Sequence, residues 1–126
     1  MRQLPGAQLE IMEIIWESTY PISRTEIQEK LTQNHWKTTT INTLLSRLHE
    51  NGFVRIDHQG KTYLYSPVIK KEAYKKAEGK RILKTLYDNS IKNFIVSVCD
   101  KNSLTEEELN QLKQLAEKLK GEDLDD

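Results

Sequence analysis

The sequence predicts a mainly α-helical fold with one small β-hairpin, which places it in the α+β class. Apolar residues recur every three to four positions through most of the chain, and two alternating, strand-like segments flank a glycine near its middle. No strand pattern follows them. Because 126 residues suffice for one compact domain and an appendage, we expect a domain over residues 1–68 and a helical region over residues 69–126.

The first helix is expected over Ala7–Ser18. Its apolar residues recur at the spacing of one helical face, and Gln8 lies with the glutamates on the opposite face. The apolar face comprises Leu9, Met12, Ile15 and Trp16. We therefore expect Trp16 in the core.

A second helix is expected to begin with Ser23-Arg24-Thr25-Glu26. This segment matches a capping box, in which the serine hydroxyl accepts from a backbone amide three residues on and the glutamate reaches back to the serine amide. The helix should continue to about Gln33, with Ile27 and Leu31 facing inward. The preceding Pro21-Ile22 leaves room for no more than a very short strand.

The third helix is expected to follow the polar link Asn34–Lys37. Thr38 is its predicted N-cap, and Asn51-Gly52 has the composition of a helix C-terminus. Apolar residues again recur with a period near 3.6. They predict a buried face formed by Ile41, Leu44, Leu45 and Leu48.

The segments Phe53–Asp57 and Thr62–Ser66 are alternating and rich in β-branched and aromatic residues. They predict a hairpin that has Gly60 at its turn and ends at Pro67. The resulting order is helix, short strand, helix, helix, hairpin. This is the order of a winged helix-turn-helix, whose third helix enters the major groove of DNA.

From Ile69 on, we expect three amphipathic helices, the last of which opens at Ser103-Leu104-Thr105-Glu106 and frays after Gly121. Their apolar stripes lie outside a domain whose core is already complete. A second copy of the chain is the simplest partner for them, through a symmetric interface. The expected dimerisation residues are Leu83, Leu86, Ile91, Phe94, Ile95, Val98, Leu109, Leu112, Leu115 and Leu119.

Polar side chains on the third helix and the hairpin are candidates for DNA contact, since hydroxyl, amide and guanidinium groups bond bases and phosphates. On the helix they are Thr38, Thr39, Thr40, Asn42, Thr43, Ser46 and Arg47. On the hairpin they are His58 and Lys61, beside Arg55 and Gln59. Alternatively, the threonines only cap a helix and the rest are ordinary surface residues. Trp36 fits either core packing or a phosphate bond from its indole N–H.

Charge is distributed unevenly, although the formal net charge is zero. Residues 1–76 carry 11 Lys and Arg against 8 Asp and Glu, whereas residues 77–126 carry 8 against 11. This asymmetry favours a DNA-facing front half and an acidic tail. An imbalance of three charges is nevertheless common in proteins of every class.

Several classes of protein are disfavoured by the sequence. The longest apolar run, Ile14-Ile15-Trp16, is far shorter than the roughly 18 residues of a membrane span, and the N-terminus lacks the apolar stretch of a secretory signal. Since Cys99 has no partner for an internal disulfide, we expect a cytoplasmic protein. Unclustered histidines predict no metal site, and the lack of a phosphate loop or activated nucleophile predicts no cofactor and no enzyme activity.

Four groups of residues, in order along the chain, carry a likeness to a known family. They are Leu9–Trp16, Thr40–Leu48 followed by Gly52-Phe53, Tyr63–Ser66, and Leu104-Thr105 followed by Glu108-Leu109. In these segments the chain resembles the BlaI/MecI family of bacterial penicillinase and methicillin-resistance repressors. The resemblance implies a winged helix with a helical dimerisation tail, and repression of resistance genes from palindromic operators. It places the DNA-reading positions at Thr39, Thr40, Asn42, Thr43 and Arg47.

The chain departs from the family pattern at two points, Asn42 and the Ser97-Val98 pair. The best-known members carry Arg where this chain has Asn42, so their operator should not be assumed here. Their sensor-protease cuts an Asn-Phe bond, whereas the aligned pair here is Ser97-Val98, and Asn93-Phe94 lies about one helical turn earlier. The sequence therefore leaves open whether such a protease is a partner. The cysteine cluster of the copper-responsive branch is absent from the sequence, so we expect no copper sensing.

Together, the residues and the resemblance predict a homodimeric, sequence-specific repressor that binds double-stranded DNA at a palindromic operator and controls β-lactamase-like resistance genes. The alternative is a winged-helix protein-interaction module without specific DNA binding, a role that a net charge of zero would suit. Alanine at Arg47 and Lys61 distinguishes the two hypotheses, because it should abolish DNA binding but spare a protein contact elsewhere.

Overall fold

The computed structural model describes residues 1–31, 35–99 and 103–121. These residues form six helices and a small antiparallel sheet, which confirms the predicted α+β class. The helices are α1 (Gly6–Glu17), α2 (Arg24–Lys30), α3 (Thr38–Glu50), α4 (Lys71–Tyr87), α5 (Ile91–Val98) and α6 (Glu106–Gly121), and the strands are β1 (Ile22–Ser23), β2 (Val54–Gln59) and β3 (Thr62–Pro67). Within the described ranges, no helix is both long enough and apolar enough to cross a membrane.

Helix α1 buries a stripe at positions i, i+3, i+4 and i+7. The stripe consists of Gln8, Ile11, Met12 and Ile15. The prediction that Gln8 lies on the polar face is wrong, because Gln8 occupies the first position of this stripe and is only 5% exposed. Trp16 lies beside the stripe against the core, and its indole N–H donates to the backbone oxygen of Ile69 at 2.9 Å.

Helix α2 begins with the predicted capping box. Ser23 Oγ accepts from the amide of Glu26 at 3.2 Å, and Glu26 Oε1 accepts from the amide of Ser23 at 3.5 Å. The helix ends at Lys30 rather than near Gln33, because Leu31 is extended and serves as the C-cap. Leu31 still packs against the core, as predicted, and the remainder of the expected helix lies outside the described residues.

Helix α3 has the predicted buried face of one isoleucine and three leucines. Its N-cap is Lys37, so the prediction of Thr38 as the cap is wrong. Thr38 is already helical, and its hydroxyl donates to Gln28 Oε1 on α2 at 3.3 Å. Gly52 follows the helix with a φ of +80°, a conformation that glycine adopts without strain at a helix C-terminus.

The sheet has the strand order β1-β3-β2. Strands β2 and β3 pair from Val54 opposite Pro67 to Gln59 opposite Thr62, which confirms the hairpin, and Gly60 takes a φ of +62° in its turn. The two-residue β1 adds the third strand by pairing with the middle of β3. This pairing brings the start of α2 beside the hairpin.

The chain divides into two compact units at Gly79, past the predicted boundary at residue 68. The first turns of α4 belong to the first unit because Tyr74 is buried in its core. The Tyr74 hydroxyl accepts from the amide of Leu4 at 3.0 Å, and its ring packs edge-on against Phe53 and tilted against Trp16. These contacts make the beginning of α4 part of the core.

An ion pair also joins α4 to α1. Lys71 Nζ donates to Glu13 Oε2 at 2.8 Å. This hydrogen bond raises the pKa of Lys71 above its ordinary value of 10.5, although desolvation opposes it. Because the folded-state pKa is the higher one, the contribution to stability is present below pH 10.5 and is lost as the pH rises through the folded-state value.

The second unit begins at Lys80 and contains the end of α4 together with α5 and α6. Ser90 Oγ accepts from the amide of Asn93 at 3.1 Å and caps α5. At the start of α6, Thr105 and Glu108 each accept from the other's backbone amide at 3.1 Å. The last helix therefore opens within the predicted segment, whereas the predicted fraying at the C-terminus lies outside the described residues.

Candidate nucleic-acid interface

The polar face of α3 lies in solvent, opposite its buried leucines. All seven predicted contact residues on this helix are exposed, namely Thr38, Thr39, Thr40, Asn42, Thr43, Ser46 and Arg47. The Thr43 hydroxyl donates to the backbone oxygen of Thr39 at 3.0 Å, which leaves it able only to accept from a further partner. The face therefore combines hydroxyl, amide and guanidinium groups on one side of a fixed helix.

The hairpin exposes both of its predicted contact residues, His58 on β2 and Lys61 at the turn. His58 lies opposite Tyr63 in the ladder, and their rings meet edge to face with centroids 4.6 Å apart. Arg55 differs from Lys61, because Arg55 Nε donates to Asp57 Oδ2 at 3.1 Å and its charge is locally balanced. Trp36, before α3, is half-buried and packs against the core, as one of its two interpretations requires.

A cleft of about 280 Å³ lies between the start of α2, the polar face of α3 and the hairpin. Two cationic side chains and no carboxylate line it. Its lining residues are Ser23, Arg24, Thr25, Asn42, Lys61, Thr62, Tyr63 and Tyr65. Burial, helped by Tyr63 and opposed by Arg24, raises the pKa of Tyr65, so this phenol keeps its proton at neutral pH.

Two of the cleft residues, Asn42 and Lys61, are among the predicted DNA contacts, whereas Arg24, Thr25 and Tyr63 are not. In the sequence, Arg24 and Thr25 stand inside the capping box, and their approach to Lys61 depends on the pairing of β1 with β3. Neither helical period nor strand alternation reveals such a pairing. The only sequence feature that points to Arg24 as a contact is its position as a basic residue directly after the capping serine.

The predicted dimerisation residues lie in the second unit, and none of them is buried. A second cavity of about 310 Å³ lies between α5 and α6. Leucine and isoleucine side chains line most of it, and Cys99, Glu108 and Gln111 complete it. These helices present apolar side chains on a surface that the described residues do not cover.

Known proteins are similar to this chain in both sequence and fold. The model of a family described as penicillinase repressor matches residues 4–118. The penicillinase repressor of Bacillus licheniformis is 27% identical over 119 residues, which cover 94% of this chain and 93% of that protein. The methicillin resistance regulatory protein MecI of Mammaliicoccus sciuri is 25% identical over 116 residues, which cover 92% of this chain and 94% of that protein.

A solved structure provides an independent comparison of the fold. The monomeric form of Bacillus licheniformis BlaI, in complex with the blaP half-operator, matches with a TM-score of 0.50 and 31% sequence identity. The match covers 58% of this chain and 89% of that chain. This likeness confirms the predicted winged-helix fold.

Proposed function

The chain belongs to the penicillinase repressor family, whose members are transcriptional repressors and not enzymes, and on this premise we propose that it represses transcription from a specific DNA operator. The observation that carries the proposal is the match over residues 4–118, together with a similar fold that has been solved on a half-operator. The names of the relatives, penicillinase repressor and methicillin resistance regulatory protein, support β-lactamase-like resistance genes as the targets.

The polar face of α3 is the proposed reading surface in the major groove. Arg47 can bond guanine or phosphate, Asn42 can pair with adenine, and the threonines can offer hydroxyl and methyl groups. The opposite face of the helix is buried, so α3 cannot rotate and the polar face stays outward. Lys61 and His58 lie on the β2–β3 hairpin, which is the wing of the fold. They are the proposed contacts to the DNA backbone beside α3.

A second copy of the chain is the proposed cover for the apolar side chains of the tail. From residue 80 on, none of the described residues is buried, and Leu86 and Ile91 are 70% and 67% exposed. Large apolar side chains exposed along neighbouring helices are typical of an interaction surface. A two-fold dimer places its two α3 helices on two equivalent half-sites, which predicts a palindromic operator.

A fluorescence-anisotropy titration tests the proposed function. The purified chain is titrated with duplex DNA from its own upstream region and with a scrambled duplex, at two salt concentrations. We expect a preference for the native sequence of at least roughly a thousandfold, and a steep fall of affinity with salt as counterions are released. Equal and weak binding to both duplexes would contradict the proposal.

Arg47→Ala separates specific reading by α3 from a general attraction to DNA. Loss of a base contact should weaken binding by about 1–3 kcal/mol and relax the preference at one operator position. Lys113→Ala is the control, since it removes a cation on α6, outside the proposed DNA interface. A protein-interaction module would bind its partner equally well with either substitution.

A further inference from the structure

The cleft beside α2 contains two cations, Arg24 and Lys61, that have no carboxylate partner among the described residues. Three other basic residues of the first unit have acidic partners, since Arg55 pairs with Asp57, Lys71 with Glu13 and Lys75 with Glu72. An unpaired cation in a concave site attracts anions more strongly than a neutralised one, because no neighbouring charge offsets its field. The cleft is therefore electrostatically suited to an anion.

Arg24 is held in position by neighbouring side chains. One terminal guanidinium nitrogen donates to Gln28 Oε1, and the other donates to Thr25 Oγ1 at 3.4 Å. Gln28 Oε1 also accepts from Thr38 Oγ1, so the arginine is linked to both α2 and α3. A guanidinium carries five N–H donors, and three remain for a ligand. Because the side chain is pre-oriented, binding an anion costs it little further conformational entropy.

Neutral hydrogen-bond donors complete the cleft. The Thr62 hydroxyl and the phenols of Tyr63 and Tyr65 line it together with the two cations. Tyr65 retains its proton at neutral pH, as its raised pKa requires, and can donate to an anion. A phosphodiester is a monoanion with two free oxygens that accept such hydrogen bonds, and it is the repeating group of the DNA backbone.

We propose that this cleft binds one phosphate of the operator backbone between Arg24 and Lys61. Arg24 on helix α2 and Lys61 on the β2–β3 hairpin then bind the same phosphodiester and fix the register of α3 in the major groove. The inference rests on the proposed DNA-binding function. It adds Arg24, Thr25 and Tyr63 to the interface, with Arg24 as the principal new contact.

The test measures how binding depends on salt in Arg24→Gln, in Lys61→Gln and in the double variant, with the duplex selected by the titration described above. Each phosphate contact contributes about 0.9 to the slope of log Kobs against log salt concentration. If both cations hold one phosphate, the double variant lowers the slope by about 0.9 rather than about 1.8. The losses of the two single variants should also be non-additive.

Two controls accompany the variants. Lys113→Gln removes a cation on α6, outside the proposed DNA interface, so slope and affinity should remain those of the wild type. Arg24→Lys keeps the charge and should keep most of the slope. If Arg24→Gln disturbed folding, as seen by circular dichroism, Arg24→Met would take its place in the double variant, because it keeps an unbranched side chain and loses the charge.

The outcomes distinguish this inference from the proposed function. If the double variant binds DNA with the wild-type slope while Arg47→Ala weakens binding, the cleft is not a phosphate site although the chain is a DNA-binding protein. If the slope of the double variant falls by about 1.8, the two cations bind separate phosphates, and the proposal that they share one phosphate is wrong. If the wild type itself shows no preference and no salt dependence, both proposals fail together.

Discussion

The two compact units of this chain place their apolar residues differently. In the first unit, Ile15, Leu45 and Leu48 are completely buried. In the described part of the second unit no residue is buried, and Leu115 on α6 is still 51% exposed. The first unit therefore contains its own core, whereas the second unit, the tail, leaves its apolar side chains exposed.

In this chain, a helix can form through local interactions without being buried. Helix α6 has a reciprocal cap at Thr105, acidic residues in its first turn and lysines in its last turn, all of which favour a helix through local interactions. These local signals specify a helix without specifying what covers it. Four predictions, ordered by the size of the expected effect, test this difference.

The largest effect is expected in the core of the first unit. Leu45→Ala removes a completely buried side chain and should lower the free energy of unfolding by about 2–5 kcal/mol, through lost burial and the cavity left behind. Urea denaturation followed by circular dichroism measures it. A loss below about 1 kcal/mol would show that the first unit does not depend on this core.

The next effect concerns assembly of the tail. Leu112→Gln places a polar amide in the proposed dimer interface at a cost of about 1–3 kcal/mol for each copy, and should yield a monomer. Sedimentation equilibrium measures the association, with Lys113→Gln on the adjacent position as the control. A Leu112→Gln variant that sediments as a dimer would place the interface elsewhere.

A smaller effect is expected where α4 joins the first unit. Tyr74→Phe removes the hydroxyl that accepts from the buried amide of Leu4, and an unsatisfied buried N–H costs about 1–3 kcal/mol. Tyr20→Phe is the matched control, because Tyr20 is 51% exposed. Thermal denaturation that shows equal stability for both variants would mean that this hydrogen bond does not secure α4.

The smallest effects are expected at the two caps. Ser23→Ala should lower the free energy of unfolding of the first unit by about 1 kcal/mol, because the amide of Glu26 loses its acceptor. Thr105→Ala removes the same kind of cap in the tail and should instead lower the helix content of α6, which lacks a core to hold it. Far-ultraviolet circular dichroism and urea denaturation together separate these outcomes. Identical behaviour of the two variants would contradict the contrast between the units.

Features encoded within a short stretch of chain were predictable from the sequence. The capping box at Ser23 and the Gly60 turn depend on residues a few positions apart, and the structure contains both. The buried face of α3 follows directly from its helical period. The predicted cap at Thr38 is wrong because Lys37 is the extended residue before the helix, so Thr38 already has helical geometry and lies one position past the cap.

Features that depend on distant contacts were not predictable by the same means. The burial of Tyr74 requires Leu4, 70 positions away, and extends the first unit beyond residue 68. The cleft requires β1 to pair with β3, which brings Arg24 to Lys61. Period and spacing describe a single element, so they identify Lys61 on its hairpin but do not show that Arg24 faces it.

The most direct test compares the wild type and Leu112→Gln on two duplexes, one with the complete operator and one with a single half-site. If the first unit reads DNA and the tail only pairs the copies, the wild type binds the complete operator as two chains and far more tightly than the half-site. Leu112→Gln should keep the half-site affinity and lose the advantage of the complete operator. A variant that kept that advantage, or lost half-site binding as well, would contradict this division of roles.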